Sequence, residues 1–183
     1  MNAGLDLILE AAAFAADRHR MQRRKDAEAS PYINHPLALA HILSREGKVS
    51  DPVVLCAALL HDTVEDTETT LEELELRFGA AVAATVAEVT NDESLPKAEQ
   101  KRLQVAKAAS KSPAAKLVKL ADKISNLRDL AATPPAGWTR ERRLEYYRWS
   151  RDVVAGLRGL NPALDQAFDE TYERGMALIA AGE

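Results

Sequence analysis

Four ionisable side chains occur within six residues, directly after an apolar segment. They are His61, Asp62, Glu65 and Asp66. The preceding run, Pro52 to Leu60, has Asp51 as a capping residue and a proline at the first helical position, so it predicts a buried helix. Because residues three and four positions apart are neighbours on a helix, the four side chains are expected on one side of a helix that continues through them.

Such a cluster of charges needs compensation. Three carboxylates this close repel one another, and burying them is costly unless a proton or a cation offsets their charge. A divalent metal ion is the simplest such cation. The alternative is a helix that leaves the core, with a hydrogen-bonded histidine and an acidic last turn exposed to solvent. The complete cluster directly after an apolar run favours a functional site instead.

His35 is a candidate for a further ligand. It precedes Pro36, which is expected to begin a helix that runs to about Glu46. A residue before proline is held extended, which fixes the direction of its side chain as a metal ligand requires. The alternative is a histidine with a purely structural role.

Asp122 is the second candidate, at the edge of the apolar stripe of a helix predicted from Ala114 to about Ala131. A carboxylate at that position is costly without a partner, so it is expected to supply the fourth ligand. The alternative is an ion pair with a basic residue of the same helix, as is common on helices. The available partners are Lys119, Lys123 and Arg128.

Two imidazoles and two carboxylates form a mixed nitrogen and oxygen set suited to Mn²⁺, Fe²⁺ or Zn²⁺, with positions left for water and substrate. This candidate set is His35, His61, Asp62 and Asp122. Such a metal lowers the pKa of bound water and polarises a phosphoryl oxygen. Glu65 and Asp66, one turn beyond the His-Asp pair, are expected to accept a proton from that water or to orient it.

A basic cluster between residues 18 and 25 includes Arg24 and Lys25. It is either the solvated end of a helix predicted over residues 3–20 or part of a pocket for an anionic ligand, and the sequence leaves both interpretations open. One short basic segment without interleaved aromatic residues, in a chain of net charge −4, argues against nucleic-acid binding.

Composition and periodicity predict one all-α domain over residues 1–183, with roughly eight to ten helices. The 46% apolar content is ordinary for a chain with a substantial core, and no strand pattern or repeat is found. No apolar run approaches the roughly 20 residues of a membrane span, and no basic leader marks a secretory signal. The single cysteine, Cys56, excludes an intrachain disulfide. A cytoplasmic protein without a membrane partner is therefore expected.

Five motifs, in their order and spacing, resemble the hydrolase domain of the RelA/SpoT family. They are Arg23-Arg24-Lys25, Pro31 to Pro36, Ala57 to Thr67, Phe78-Gly79, and Val118 to Arg128. The chain length and the segment from Gly137-Trp138 through Glu145-Tyr146-Tyr147 are most similar to the stand-alone small alarmone hydrolases, which include the metazoan SpoT homologue. The resemblance covers nearly the whole chain.

The resemblance implies an HD-domain helical bundle with one Mn²⁺ per chain. The implied activity removes the 3′-diphosphate of guanosine tetraphosphate or pentaphosphate and yields pyrophosphate with GDP or GTP. His35, His61, Asp62 and Asp122 would be the metal ligands, and Glu65 and Asp66 the catalytic carboxylates. Arg24, Lys25 and Asn126 match positions near the nucleotide, and Lys97, Arg142 and Tyr146 match positions that contact phosphate or base.

Two other functions stay open at this point. Animal relatives are associated with removal of the 2′-phosphate of NADPH, which the same metal chemistry would serve. An HD module that binds an alarmone without cleaving it is disfavoured by the intact Glu65-Asp66 pair. Met21 and the loop over residues 26–30 depart from many longer family members, so base selectivity is open, as is the oligomeric state.

Overall fold

Ten α-helices make up most of the described chain, which comprises residues 3–26 and 28–182 of a computed structural model. They are α1 (Ala3–Arg18), α2 (Asn34–His41), α3 (Pro52–Leu60), α4 (Thr63–Asp66), α5 (Leu71–Phe78), α6 (Ala80–Val89), α7 (Lys97–Lys107), α8 (Pro113–Ala132), α9 (Arg140–Ala155) and α10 (Pro162–Ala181). No strand longer than an isolated bridge occurs in those two ranges, so the all-α prediction is confirmed. Residues 1, 2, 27 and 183 of the predicted domain lie outside the described residues. Residue 27 belongs to the loop predicted over residues 26–30, so that part of the loop is not described either.

Side-chain caps begin two of the helices near the centre of the sequence, and the cap predicted at Asp51 is confirmed. The Asp51 carboxylate accepts a hydrogen bond from the Val53 amide at 2.9 Å, which starts α3. The Thr70 hydroxyl accepts from the Glu73 amide at 3.2 Å and starts α5. These oxygens satisfy amide groups that have no partner within the helix, so the boundaries are set by local chemistry.

The core is built around α3 and α8. In α3, seven of nine residues are buried, because the helix packs against α1, α2, α6 and α8. α8 in turn packs against α2, α3, α6, α9 and α10. The end of one central helix and the middle of the other therefore meet in the interior, where the His61-Asp62 pair and Asp122 lie.

The prediction of one continuous helix through the acidic cluster is wrong. α3 ends at Leu60, and a single helical turn, α4, begins at Thr63. The Thr63 hydroxyl donates to the Leu60 carbonyl at 2.7 Å, and His61 Nδ1 lies 2.9 Å from the Ala58 carbonyl oxygen. Side chains thus occupy carbonyls that a continuing helix would use, and this competition ends the helix.

The extended conformation predicted for His35 is also wrong. α2 begins at Asn34, so His35 lies in its first turn and Pro36 is its third residue. A proline is tolerated there because the first amides of a helix have no intrahelical acceptor. Beyond His41 the chain continues through a wider π-helical turn, Ile42–Glu46, rather than as a regular helix.

None of the described helices combines the length and the apolar character that a membrane span requires.

We predict that Gly175→Ala destabilises the fold by about 1–3 kcal/mol, the usual cost of overpacking. A Cβ at Gly175 of α10 would lie 2.0 Å from the Tyr147 hydroxyl oxygen, which donates to the Leu127 carbonyl at 2.8 Å. The free energy of unfolding in urea measures the effect. Helix propensity alone would make this change stabilising by about 1 kcal/mol, so a stabilised variant would contradict the packing described. Ala177→Ser on the exposed side of α10 is the matched control.

Candidate metal centre

Three segments bring the predicted ligands together. His35 comes from the first turn of α2, His61 and Asp62 from the break between α3 and α4, and Asp122 from the middle of α8. One ligand atom each of His35, His61 and Asp62 can be chosen so that all three lie within 4.8 Å of one another. Asp122 Oδ1 lies 3.4 Å from His35 Nε2 and so adjoins this group.

The hydrogen bond of His61 fixes which of its nitrogens faces the centre. Nδ1 lies 2.9 Å from the Ala58 carbonyl oxygen. A carbonyl can only accept, so Nδ1 carries the proton and Nε2 presents its lone pair. This is the arrangement found for metal-bound histidines, whose other ring nitrogen donates to a carbonyl or carboxylate.

His61 Nε2 and Asp62 Oδ2 lie 2.9 Å apart. Both atoms are acceptors once His61 is neutral, so a proton or a cation must lie between them. Burial lowers the pKa of His61, but the Asp62 carboxylate raises it, and the net shift is upward. Ligand atoms held at about 2.1 Å on neighbouring positions of one ion would be separated by about 3 Å, so the pair fits a shared metal.

The second histidine is oriented in a similar way. Ser125 Oγ lies 3.3 Å from His35 Nδ1, and His35 Nε2 lies 4.0 Å from Asp62 Oδ2. If Nδ1 donates to the serine hydroxyl, Nε2 faces both aspartates with its lone pair. Only 4% of the surface of His35 and 3% of that of His61 is exposed, so water does not compete freely for these nitrogens.

Asp122 is held in its charged form by its neighbours. Burial raises the pKa of this carboxyl, but the Lys123 ammonium and the hydrogen bond to His35 hold it well below its usual range. Lys123 Nζ lies 3.1 Å from Oδ2, and Asn126 Nδ2 donates to Oδ1 at 2.5 Å. The ion pair that the sequence offered as an alternative role is therefore present together with the approach to His35, and the two are compatible.

Glu65 and Asp66 point to different partners. Glu65 Oε2 accepts hydrogen bonds from the Asn91 backbone amide at 3.0 Å and from Asn91 Nδ2 at 2.9 Å. Asp66 Oδ2 accepts from Gln22 Nε2 at 2.9 Å. Each carboxylate is thus positioned by an amide that the sequence analysis did not identify.

Tyr32 is a further residue that was missed. Its hydroxyl donates to Asp62 Oδ2 at 2.6 Å. Burial raises the pKa of Tyr32 far above its usual value, and the Asp62 and Asp66 carboxylates raise it further, so the group stays a donor. The only signal in the sequence is its position three residues before His35, which does not by itself indicate a role.

A cavity of about 600 Å³ adjoins the centre. The predicted residues Arg24, Lys25, Asp66, Asn126 and Tyr146 line it together with His35, Tyr32 and Trp138. Its volume is within the range of small-molecule sites. Cationic side chains and aromatic rings both line its wall, and the Arg24 guanidinium lies 5.7 Å from the Tyr32 ring centroid, so an anionic ligand with a planar ring system would find both kinds of partner.

Two of the predicted contact residues do not line this cavity. The Lys97 ammonium lies 3.3 Å from Gln100 Oε1 on α7. The guanidinium of Arg142 lies 4.3 Å from the centroid of the Trp138 ring, so Arg142 supports the aromatic wall from behind. Arg24 does line the cavity but also forms a 2.5 Å ion pair with Asp129.

A helical fold with a His-Asp pair at the break between two helices is that of the HD domain, and the HD domain family matches residues 11–159. The mouse protein named guanosine-3′,5′-bis(diphosphate) 3′-pyrophosphohydrolase MESH1 is 58% identical, over 93% of this chain and 96% of the relative. The human protein of the same name is 57% identical with the same coverage.

A solved structure is similar as well. It is described as a metazoan orthologue of SpoT that hydrolyses ppGpp and plays a role in starvation responses, and it superposes with a TM-score of 0.89 at 50% identity. The match covers 91% of this chain and 94% of that one. The chain therefore belongs to the HD-domain family and, within it, to the SpoT-related group that contains the MESH1 proteins.

We predict that Tyr32→Phe lowers the affinity of the candidate centre for a divalent metal ion about 10–100-fold, the usual effect of removing a hydrogen bond to a metal ligand. The cause is the loss of the donor to Asp62 Oδ2. Calorimetric titration of the purified protein, with Mn²⁺ as the probe ion, measures this affinity. His61→Ala, which removes a candidate ligand itself, is expected to abolish binding, and Tyr172→Phe on α10 should leave it unchanged. Equal affinity of Tyr32→Phe and the wild type would show that the hydroxyl does not support the centre.

Proposed function

We propose that the chain is a Mn²⁺-dependent guanosine-3′,5′-bis(diphosphate) 3′-pyrophosphohydrolase that converts (p)ppGpp to GDP or GTP and pyrophosphate. The main support is the position of two carboxylates, Glu65 and Asp66, in the helical turn that follows the His61-Asp62 pair, together with a cavity of nucleotide size that His35 and Asp66 line. The curated names of relatives at 57–58% identity support the substrate.

The proposed ligands are His35, His61, Asp62 and Asp122, and the donor set fits a divalent ion of the first transition row. Mn²⁺ is the proposed ion, and Zn²⁺ or Fe²⁺ would be compatible with the same atoms. When bound, an ion of this kind would lower the pKa of a water molecule and polarise a phosphoryl oxygen.

The cavity beside the centre is proposed to hold the nucleotide. Lys25 and Arg24 offer positive charge for its phosphates, and Tyr146 and Trp138 offer ring faces for its base. Tyr146 and Trp138 lie edge to face with centroids 5.6 Å apart, and Arg142 lies over the second ring. These contacts position the two rings at the cavity wall where a base could pack.

Hydrolysis breaks the bond between the ribose 3′-oxygen and the adjacent phosphorus, and water adds to that phosphorus. The attacking water loses a proton, and the 3′-oxygen gains one. Glu65 is proposed to accept the first proton. Asn91 orients this carboxylate, because it donates to Oε2 from its backbone amide at 3.0 Å and to both oxygens from Nδ2, at 2.9 and 3.2 Å. Asp66, held by Gln22 at the cavity wall, is proposed to orient the water.

The substrate is tested with purified, Mn²⁺-loaded protein given ppGpp and NADPH side by side. We expect ppGpp to be converted to GDP and pyrophosphate with a higher kcat/KM than NADPH shows. Release of phosphate from NADPH at a higher kcat/KM would favour the 2′-phosphatase alternative, and tight binding of ppGpp without any product would favour a non-catalytic module.

Glu65→Gln is expected to lower kcat by about 10²–10⁴-fold, because the amide cannot accept a proton. The affinity for Mn²⁺ should stay close to that of the wild type, since Glu65 is not a proposed ligand. Glu68→Gln, an exposed acid two residues after Asp66, is the control and should keep full activity. Wild-type turnover by Glu65→Gln would remove this residue from the mechanism.

Lys25→Ala is expected to raise KM for ppGpp by about tenfold or more with little change in kcat, because a charged contact made equally in the ground and transition states is lost. Steady-state kinetics measure both constants. Arg20→Ala is the matched control, since Arg20 pairs with Asp17 at 2.9 Å and does not line the cavity. An unchanged KM would exclude Lys25 from substrate binding.

A further inference from the structure

A second cavity, of about 370 Å³, lies between the end of α6, α7 and the first half of α8. It shares no lining residue with the cavity proposed for the nucleotide. Its wall contains no aromatic ring, whereas Tyr32, Trp138 and Tyr146 line the first cavity. A ligand of the second cavity therefore has nothing to stack a base upon.

Three lysines line this cavity: Lys107, Lys111 and Lys119. Within residues 3–26 and 28–182, no carboxylate lies within ion-pair distance of any of their ammonium groups. Lys111 donates to the Glu88 backbone carbonyl, which carries no formal charge. Positive charge therefore collects in the cavity without a direct counter-ion.

The two acidic residues of the wall, Glu88 and Asp92, are already bound by other donors. Glu88 Oε2 accepts from the Ser112 amide at 2.8 Å. Asp92 Oδ1 accepts from the Ser94 hydroxyl at 2.6 Å and the Ser94 amide at 3.0 Å. A hydrogen bond from a neutral donor leaves a carboxylate charged, so three lysines and two carboxylates give the wall a formal excess of one positive charge.

Lys119 is the most buried of the three lysines. Only 6% of its surface is exposed, and its ammonium group makes no hydrogen bond to the part of the chain that the structure describes. Burial lowers its pKa, which is the direction expected for a desolvated cation. An ammonium group without a protein partner can donate to an anion in the cavity.

The second cavity also adjoins the candidate metal centre. Asn91 lines the cavity and holds Glu65 through its backbone and side-chain nitrogens. Lys119, also in the cavity wall, precedes Asp122 by about one turn of α8. A small anion in this cavity would therefore lie next to the place where the proposed reaction releases one.

We propose that this cavity binds inorganic diphosphate, the anion that the proposed function releases from its substrate. Three lysine ammonium groups and the side-chain amide nitrogen of Gln104 supply donors for its oxygens. The identification of diphosphate as the natural ligand rests on the proposed function, but the site itself rests on the cavity and its charges. The two cavities share no lining residue, so diphosphate bound in the second cavity does not occupy the nucleotide cavity. We expect it to inhibit turnover without competing with the nucleotide, because Asn91 of its wall holds Glu65.

The direct test is calorimetric titration of inorganic diphosphate into the full-length protein after chelator treatment, so that the metal itself does not capture the anion. The double variant Lys107→Ala/Lys111→Ala should bind at least tenfold more weakly than the wild type. The matched double variant Lys101→Ala/Lys116→Ala removes two lysines of the same region that do not line the cavity, and it should bind normally. Absence of binding, or equal binding by both double variants, overturns the proposal.

The second test is product inhibition of the Mn²⁺-loaded enzyme, with the free Mn²⁺ concentration held constant. Added diphosphate should lower the apparent kcat for ppGpp, and the Lys107→Ala/Lys111→Ala variant should need at least tenfold more diphosphate for the same effect. Purely competitive inhibition would place the anion in the nucleotide cavity and overturn the proposal. Diphosphate binding by a protein that does not cleave ppGpp would leave the site standing and refute only the proposed function.

Discussion

The close approach of two acceptor atoms, His61 Nε2 and Asp62 Oδ2 at 2.9 Å, is the constraint on which the rest of the site depends. The Ala58 carbonyl holds the proton of His61 on Nδ1, so the pair is stable only with a positive charge between its members. The pair lies at the end of the most buried helix of the fold. A cation bound there is therefore coupled to the packing of the core.

The break between α3 and α4 is what makes this approach possible. On an uninterrupted helix, His61 and Asp62 would project about 100° apart, since 3.6 residues complete a turn. Instead Asp62 has φ −101° and ψ −4°, a sparsely populated conformation in which many active-site residues are found. The hydrogen bonds of His61 and Thr63 to carbonyls of α3 hold the chain in that conformation.

Local patterns predicted most of the helices and the four residues that meet at the candidate centre, because capping residues and apolar periodicity are properties of neighbouring residues. The break at His61 was not predicted, because it depends on side chains that compete for backbone carbonyls. The contact of Tyr32 with Asp62 joins residues 30 positions apart, and that of Asn91 with Glu65 joins residues 26 apart. No spacing rule relates such pairs. Lys119 was considered only as an ion-pair partner of Asp122, because its burial beside a cavity depends on how α6 and α7 pack against α8.

The two tryptophans of the chain occupy different parts of the site. Trp138 lines the first cavity, whereas Trp149 lies under the Lys123 ammonium, 4.3 Å from its ring centroid, and Lys123 pairs with Asp122. Both indoles pack on Tyr146, with ring centroids 5.6 and 5.3 Å away, so their emission has to be read one tryptophan at a time. A variant that keeps only Trp138 reports on the cavity wall, and one that keeps only Trp149 reports on the surroundings of Asp122, without any attached dye.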